Sequence, residues 1–227
     1  MQKRWLWTVV GILLVVITVA GAARVRGFRR VEREQKCLNA ARMVGLATHN
    51  AAAAWKCWPY FGKTGLGEQP RQWRTLLYCY VVAATCEMPE KEATSPAWIF
   101  NLSDPESKRT SLYAITGEGT IFSRESSPRF YELPSQTLMY VSGGESAEPW
   151  YAAEDVSIDT LRNSTGTIRD VLGETLSGVT FLVLRDGAVW MVDSSLPASV
   201  LAMQADARDP RNNEVAPEIV AAGRRVP

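Results

Sequence analysis

Nineteen consecutive uncharged residues, Trp5–Ala23, stand near the start of the chain and constrain what can follow them. As a helix rising about 1.5 Å per residue, the run spans ~28 Å, close to the ~30 Å hydrocarbon thickness of a bilayer. Lys3 and Arg4 precede it, Arg24, Arg26, Arg29 and Arg30 follow it, and Trp5 and Trp7 suit an interfacial position. The run reads as an uncleaved signal-anchor or as a cleaved signal peptide, since Ala20-Gly21-Ala22 matches a small-residue cleavage site. Its length exceeds the usual signal core of about 7–15 residues and favours the anchor.

The charge is unevenly distributed. Residues 1–50 carry a formal +7 and residues 51–227 a formal −6. Cations beside an apolar helix meet lipid headgroups, so a lipid bilayer is the expected partner of this segment. No nucleic-acid-binding motif accompanies the arginines, and no nucleic-acid partner is expected. More positive charge follows the helix than precedes it, which by the positive-inside rule opposes an extracytoplasmic body.

Residues 24–55 read as a helix. Cys37, Ala41, Val44, Thr48, Ala51 and Trp55 recur at spacings of three and four and form one small, apolar stripe. Pro59 and the glycine-bearing stretch 62–67 end it. Leu76–Ala83 is an aromatic and aliphatic run, and 87–95 and 103–110 are polar loops. Strands are expected at 111–116, 119–123 and 137–142, then at 179–184 and 188–192 around Asp186-Gly187. Asp-Gly between β-rich runs predicts a hairpin with a type I′ turn. A long helix followed by strands predicts an α+β fold with the helix packed on an antiparallel sheet. The expected organisation is an anchor at 1–23, an α+β domain at 24–205 and a loose tail at 206–227.

The four cysteines, Cys37, Cys57, Cys79 and Cys86, and the single histidine, His49, lack the paired spacing of a structural zinc site. A bridge from Cys57 to Cys79 or Cys86 and buried free thiols both remain open.

Five stretches, in order, resemble a large planctomycete group of secreted type IV pilin-like proteins of unknown function. They are Cys37–Asn50, with Cys37, Asn39, His49 and Asn50; Trp73–Tyr78, opening on Trp-Arg; Thr110–Phe122, with Gly117 and Gly119; Glu148–Asp159, with Trp150; and Gly178–Pro197, with Asp186 and Gly187. The resemblance implies a pilin-like fold and an extracytoplasmic body. The group's usual processing motif ahead of the apolar helix is missing, because Gly27-Phe28 falls after the helix and is followed by arginines. Leu176 stands where the group often has a histidine, and a second cysteine of the group is replaced near Asn101, which leaves Cys37 without its usual partner.

Little of this sequence asks for chemistry. His49 at a helix end is a candidate metal ligand or base, and a hydrogen-bonded structural role is the expectation. Glu145, Glu148, Glu154, Asp155 and Asp159 offer oxygen ligands, with Glu148, Glu154 and Asp155 the metal candidates, but their spacing fits no calcium loop and a solvated loop is expected. Trp58 and Trp150 lie beside prolines and read as packed turns, with surface recognition of sugars or peptides the alternative. No phosphate loop or nucleophile elbow is present, so neither an enzyme nor a cofactor is expected. The expected function is a membrane-anchored, pilin-like envelope protein with envelope or pilin-like assembly partners. The alternative is an extracytoplasmic solute- or glycan-binding module using loops that include 143–159.

Overall fold

The structure is a computed structural model that describes residues 2–55, 58, 73–74, 77, 80, 101–102, 109–123, 133–150, 153–174, 176 and 178–226, with side chains in the first helix from residue 15 to 54. The chain divides into two compact units, Met1–Lys36 and Cys37–Pro227.

Helix α1 runs from Gln2 to Trp55. In the first unit its described side chains are exposed apart from half-buried Glu34. Two i,i+4 ion pairs brace it, Arg30–Glu34 at 3.0 Å and Lys36–Glu32 at 2.8 Å. Among the described residues no helix is long and apolar enough to cross a membrane. More than half of the Trp5–Ala23 run has side chains outside the described residues, so most of the expected anchor falls there too.

In the second unit α1 becomes a core helix. Cys37, Ala40, Ala41, Val44, Ala47, Thr48, Ala51 and Ala52 are all buried, the expected stripe as far as Ala51 with small neighbours filling it out; the Trp55 side chain lies outside the described residues. Small side chains let the helix lie close to the sheet. A methyl group added at Gly45 would come within 3.2 Å of Val183 Cγ1.

The sheet has six strands in the order β3-β1-β2-β4-β5-β6. They are β1 Leu112–Thr116, β2 Leu138–Ser142, β3 Val156–Ser157, β4 Val179–Leu184, β5 Val189–Asp193 and β6 Gly223–Val226. The expected antiparallel sheet is therefore mixed, because β3 joins β1 in parallel through Ile115↔Val156 and Thr116↔Ser157. A two-residue strand is too short for an alternation to register in sequence. The expected strand at 119–123 is a turn instead: Thr120 N–H donates to Gly117 O at 3.2 Å, and Phe122 makes only a bridge to Thr116.

Successive side chains on β4 divide between two cores. Phe181 and Val183 pack with α1, while Leu182 and Leu184 join the opposite layer. That layer holds α2 (Ile158–Asn163), α3 (Ile168–Leu172), α4 (Ala198–Ala205) and α5 (Pro217–Ala222). A sheet covered on both faces accounts for the apolar run Phe181–Leu184, buried on successive side chains. On β2 a register shift between Leu138 and Tyr140 lets Met139 and Tyr140 both serve the α1 core.

The β4–β5 hairpin forms where expected, with a different turn. Leu184 N–H donates to Ala188 O at 2.9 Å, which leaves the three-residue loop Arg185-Asp186-Gly187. Gly187 at φ 83° takes the left-handed position that closes three-residue hairpins, in place of the expected two-residue type I′ turn.

Residues 206–226, expected as part of a loose tail, form regular elements. They supply a 3₁₀ turn at Pro210–Asn213, then α5, then β6, which pairs with β5 from Val189↔Val226 to Val192↔Gly223. The buried Asn212 Nδ2 donates to Met203 O at 2.9 Å and to Asp206 O at 2.7 Å. Ile219 is fully buried. The backbone of β6 covers the β5 edge, a need that polar composition does not reveal.

Candidate functional site: a buried arginine–aspartate clamp

Trp73 and Arg74 occupy a helical turn, and both are fully buried. A guanidinium has no means of shedding its charge in a protein, so a buried arginine needs a carboxylate and further acceptors. Asp155, from the Glu148–Asp159 stretch, supplies the carboxylate. Arg74 Nη2 lies 2.7 Å from Asp155 Oδ1, and the two side chains are 0% and 2% exposed. Nη1 also donates to Ala153 O and Nη2 to Leu112 O, each at 3.0 Å. The aspartate is equally occupied: it accepts from Trp73 Nε1 at 2.8 Å and from the β1 amide of Ala114 at 2.9 Å. The guanidinium carbon sits 4.6 Å from the centre of the Trp73 ring.

The cluster extends to α1. Trp73 packs on Tyr140 with ring centres 4.6 Å apart, and Phe122 lies 5.2 Å from the same tyrosine. Thr48 Oγ1 donates to Val44 O at 2.7 Å, so the tyrosine hydroxyl is the donor in the 2.8 Å Thr48–Tyr140 bond. One run of contacts therefore leads from α1 through β2 to the Trp73 turn and on to β1, hydrogen-bonded at each end and joined in the middle by the Trp73–Tyr140 ring contact.

Burial pushes the Asp155 carboxyl up, against the pull of Arg74, Trp73 and the Ala114 amide. Burial pushes Arg74 down, opposed mainly by Asp155. Burial also raises Tyr140. Tyr113 is pushed up to about 12 by burial, and its hydroxyl donates to Gly144 O at 2.6 Å. Both Asp155 oxygens are engaged and the side chain has almost no contact with solvent. The arrangement holds two chain segments against β1 and presents no carboxylate to a substrate or metal.

The metal candidates do not converge. Glu148 and Glu154 are exposed while Asp155 is turned into the core. Among the described residues no group of three His, Cys, Asp or Glu side chains is placed to hold a metal. Glu145 accepts from Asn101 Nδ2 at 2.9 Å, and Asp159 pairs with Arg162 at 2.8 Å on α2. His49 bonds across the fold and not at its own helix end: its Nε2 meets the Arg185 carbonyl in the hairpin loop, and its ring meets Trp58 edge-on at 5.9 Å.

Cys37 is a buried thiol that donates to Leu102 O at 2.8 Å, next to Asn101. The other three cysteines lie outside the described residues, and the choice between a bridge and buried thiols lies there with them. Asn39 and Asn50 are exposed. Trp58 and Trp150 are buried at 0% and 4% exposure, which makes them packed residues and not surface aromatics. Gly117 (φ 122°) and Gly119 (φ 85°) make the turn after β1, where an added methyl would meet Ile158 Cγ2 at 2.9 Å or the Arg208 guanidinium at 2.7 Å. Asp186 caps its own turn, Oδ1 accepting from the Ala188 amide at 2.8 Å. Leu176 forms a bridge to Val179.

Arg74, Thr48 and Tyr140 were not singled out as site residues from sequence. The available signal was an arginine inside an apolar block, which demands an acid elsewhere. No known protein family, curated protein or solved structure matches the chain.

Proposed function

We propose that this chain is a membrane-anchored, pilin-like envelope protein that acts through non-covalent contacts and not through catalysis. The observation that carries the reading is the uncovered apolar surface on α1. Val15, Val16, Ile17 and Val19 are 58–63% exposed on a helix whose later residues, from Cys37, are core. Consecutive large apolar side chains left in water need lipid or another helix to cover them. The resemblance in motif order supports a pilin-like body placed outside the cytoplasm. The buried Arg74–Asp155 pair, with both carboxylate oxygens engaged, and the outward-facing glutamates support a structural role over an enzymatic one.

The test is fractionation of cells making the full chain, with alkaline carbonate extraction and protease treatment of intact cells. The expected result is membrane retention and digestion of the body. Recovery of the intact chain in the soluble cytoplasm would overturn the reading, and a body protected from protease would overturn its side.

A further inference from the structure

We propose that Arg26, Arg29, Arg30 and Arg33 form a binding surface for an anionic lipid leaflet. The inference rests on the membrane-anchor reading and deepens it by naming the lipid chemistry. The four arginines stand at i, i+3, i+4 and i+7 on α1, so they share one face of the helix over about 10 Å of its length. All four are exposed. Arg30 shares its charge with Glu34 at 3.0 Å. Glu32, the other nearby acid, is engaged by Lys36 at 2.8 Å. Arg29 lies near enough to Glu32 for its charge to be felt there. Arg24 to Lys36 holds six cations and two carboxylates, a net +4 directly after the apolar run.

A planar guanidinium matches a phosphate oxygen pair, and arginines that follow directly on a membrane-crossing run stand at the level of the headgroup phosphates. The neighbouring face decides between lipid and nucleic acid. Val25 and Phe28, three residues apart, are 52% and 72% exposed. Beside a leaflet these side chains enter the headgroup and acyl boundary while the arginines stay with the phosphates. An intact duplex offers the phosphates but keeps its base faces stacked away from the valine and phenylalanine.

The experiment uses the full chain reconstituted in phosphatidylcholine vesicles with trace spin-labelled phosphatidylglycerol or spin-labelled phosphatidylcholine. The expected result is association of the glycerol lipid about three- to tenfold above the choline lipid. That ratio should fall toward one in about 0.5 M NaCl, and in R26Q/R29Q/R30Q/R33Q at low salt. A ratio of one for the parent chain, while it resists alkaline extraction, overturns the stripe and leaves the anchor standing. Release by extraction overturns the anchor. The stripe then stands if the released chain sediments with phosphatidylglycerol vesicles and not with phosphatidylcholine vesicles, and falls if it sediments with neither. Preference for duplex DNA over phosphatidylglycerol vesicles in direct competition overturns it as well.

Discussion

Replacing Arg74 or Asp155 alone should damage the fold far more than replacing both. Asp155→Leu removes the carboxylate and leaves the Arg74 charge in a dry core without that counter-charge, the Ala153 and Leu112 carbonyls still accepting from it. It also strands two donors, Trp73 Nε1 and the Ala114 amide. An uncompensated buried charge costs about 3–5 kcal/mol, and each stranded donor about 1–3 kcal/mol where water cannot reach it, so about 5 kcal/mol is expected. Arg74→Met is milder, at about 3 kcal/mol, because the carboxylate keeps two donors and has an escape that a guanidinium lacks, which is to take up a proton. With its cation gone and burial already pushing it up, Asp155 in that variant sits further above its unfolded value. A carboxyl raised by folding adds stability below its unfolded pKa, and that stability is lost as pH rises through the folded value. Arg74→Met should therefore be most stable in mild acid and weaken toward neutrality, while Asp155→Leu stays flat. The double variant replaces two charges with apolar volume and should cost at least about 2 kcal/mol less than the sum of the singles. The assay is urea unfolding of the full chain in mild detergent, followed by tryptophan emission and far-ultraviolet circular dichroism. With a slope of roughly 2 kcal/mol/M, the singles should move the midpoint by about 1.5–2.5 M. If one single fails to fold, a folded double still makes the point. Additivity within about 0.5 kcal/mol, or an Arg74→Met cost below about 1 kcal/mol, would refute the reasoning.

Three further outcomes are expected. Thr48→Val leaves the Tyr140 hydroxyl unpaired in the core and should cost about 1–3 kcal/mol, whereas adding Tyr140→Phe should recover part of that in the same urea titration. Tyr113, pushed up to about 12 by burial, should make the parent chain lose stability as pH rises from about 10 to about 12, because the folded state holds the phenolic proton longer than the unfolded chain does. Tyr113→Phe should show a shallower slope over that window, and an unchanged slope would count against the assignment. Gly117→Ala puts a methyl 2.9 Å from Ile158 Cγ2 at φ 122° and should lower stability by about 2 kcal/mol by thermal melting, whereas alanine at exposed Gly27, inside α1 with open space around it, should not destabilise and should favour the helix by up to about 1 kcal/mol.

Much of the secondary structure was legible because its signals are local. The small-residue stripe from Cys37 sets the buried face of α1, and the strands at 112–116, 138–142 and 179–184 follow from short apolar runs. The hairpin follows from Asp186-Gly187, although register and not the dipeptide selected a three-residue loop. The second layer of helices was not legible. Helices of five to eight residues carry too few turns for a period, and their signals are caps, such as the reciprocal Thr167–Asp170 box on α3. The tail escaped for a related reason: β6, Gly-Arg-Arg-Val, is a strand because β5 has an edge to satisfy, not because its residues prefer one.

The N-terminal apolar run, the basic segment after it and the lack of a catalytic motif belong to the sequence alone, since length, charge and spacing are properties of the chain. The partner of each polar core residue belongs to the tertiary structure. Trp73 and Asp155 stood in separate stretches and were weighed for separate roles, and Arg74 between them was passed over. The physical reason is the range of the demand. A buried guanidinium requires an anion, but nothing local says which of the chain's acids will be turned inward. Only the placement of β1 beside β3 decided that Asp155 would be that acid and that Glu148 and Glu154 would face water.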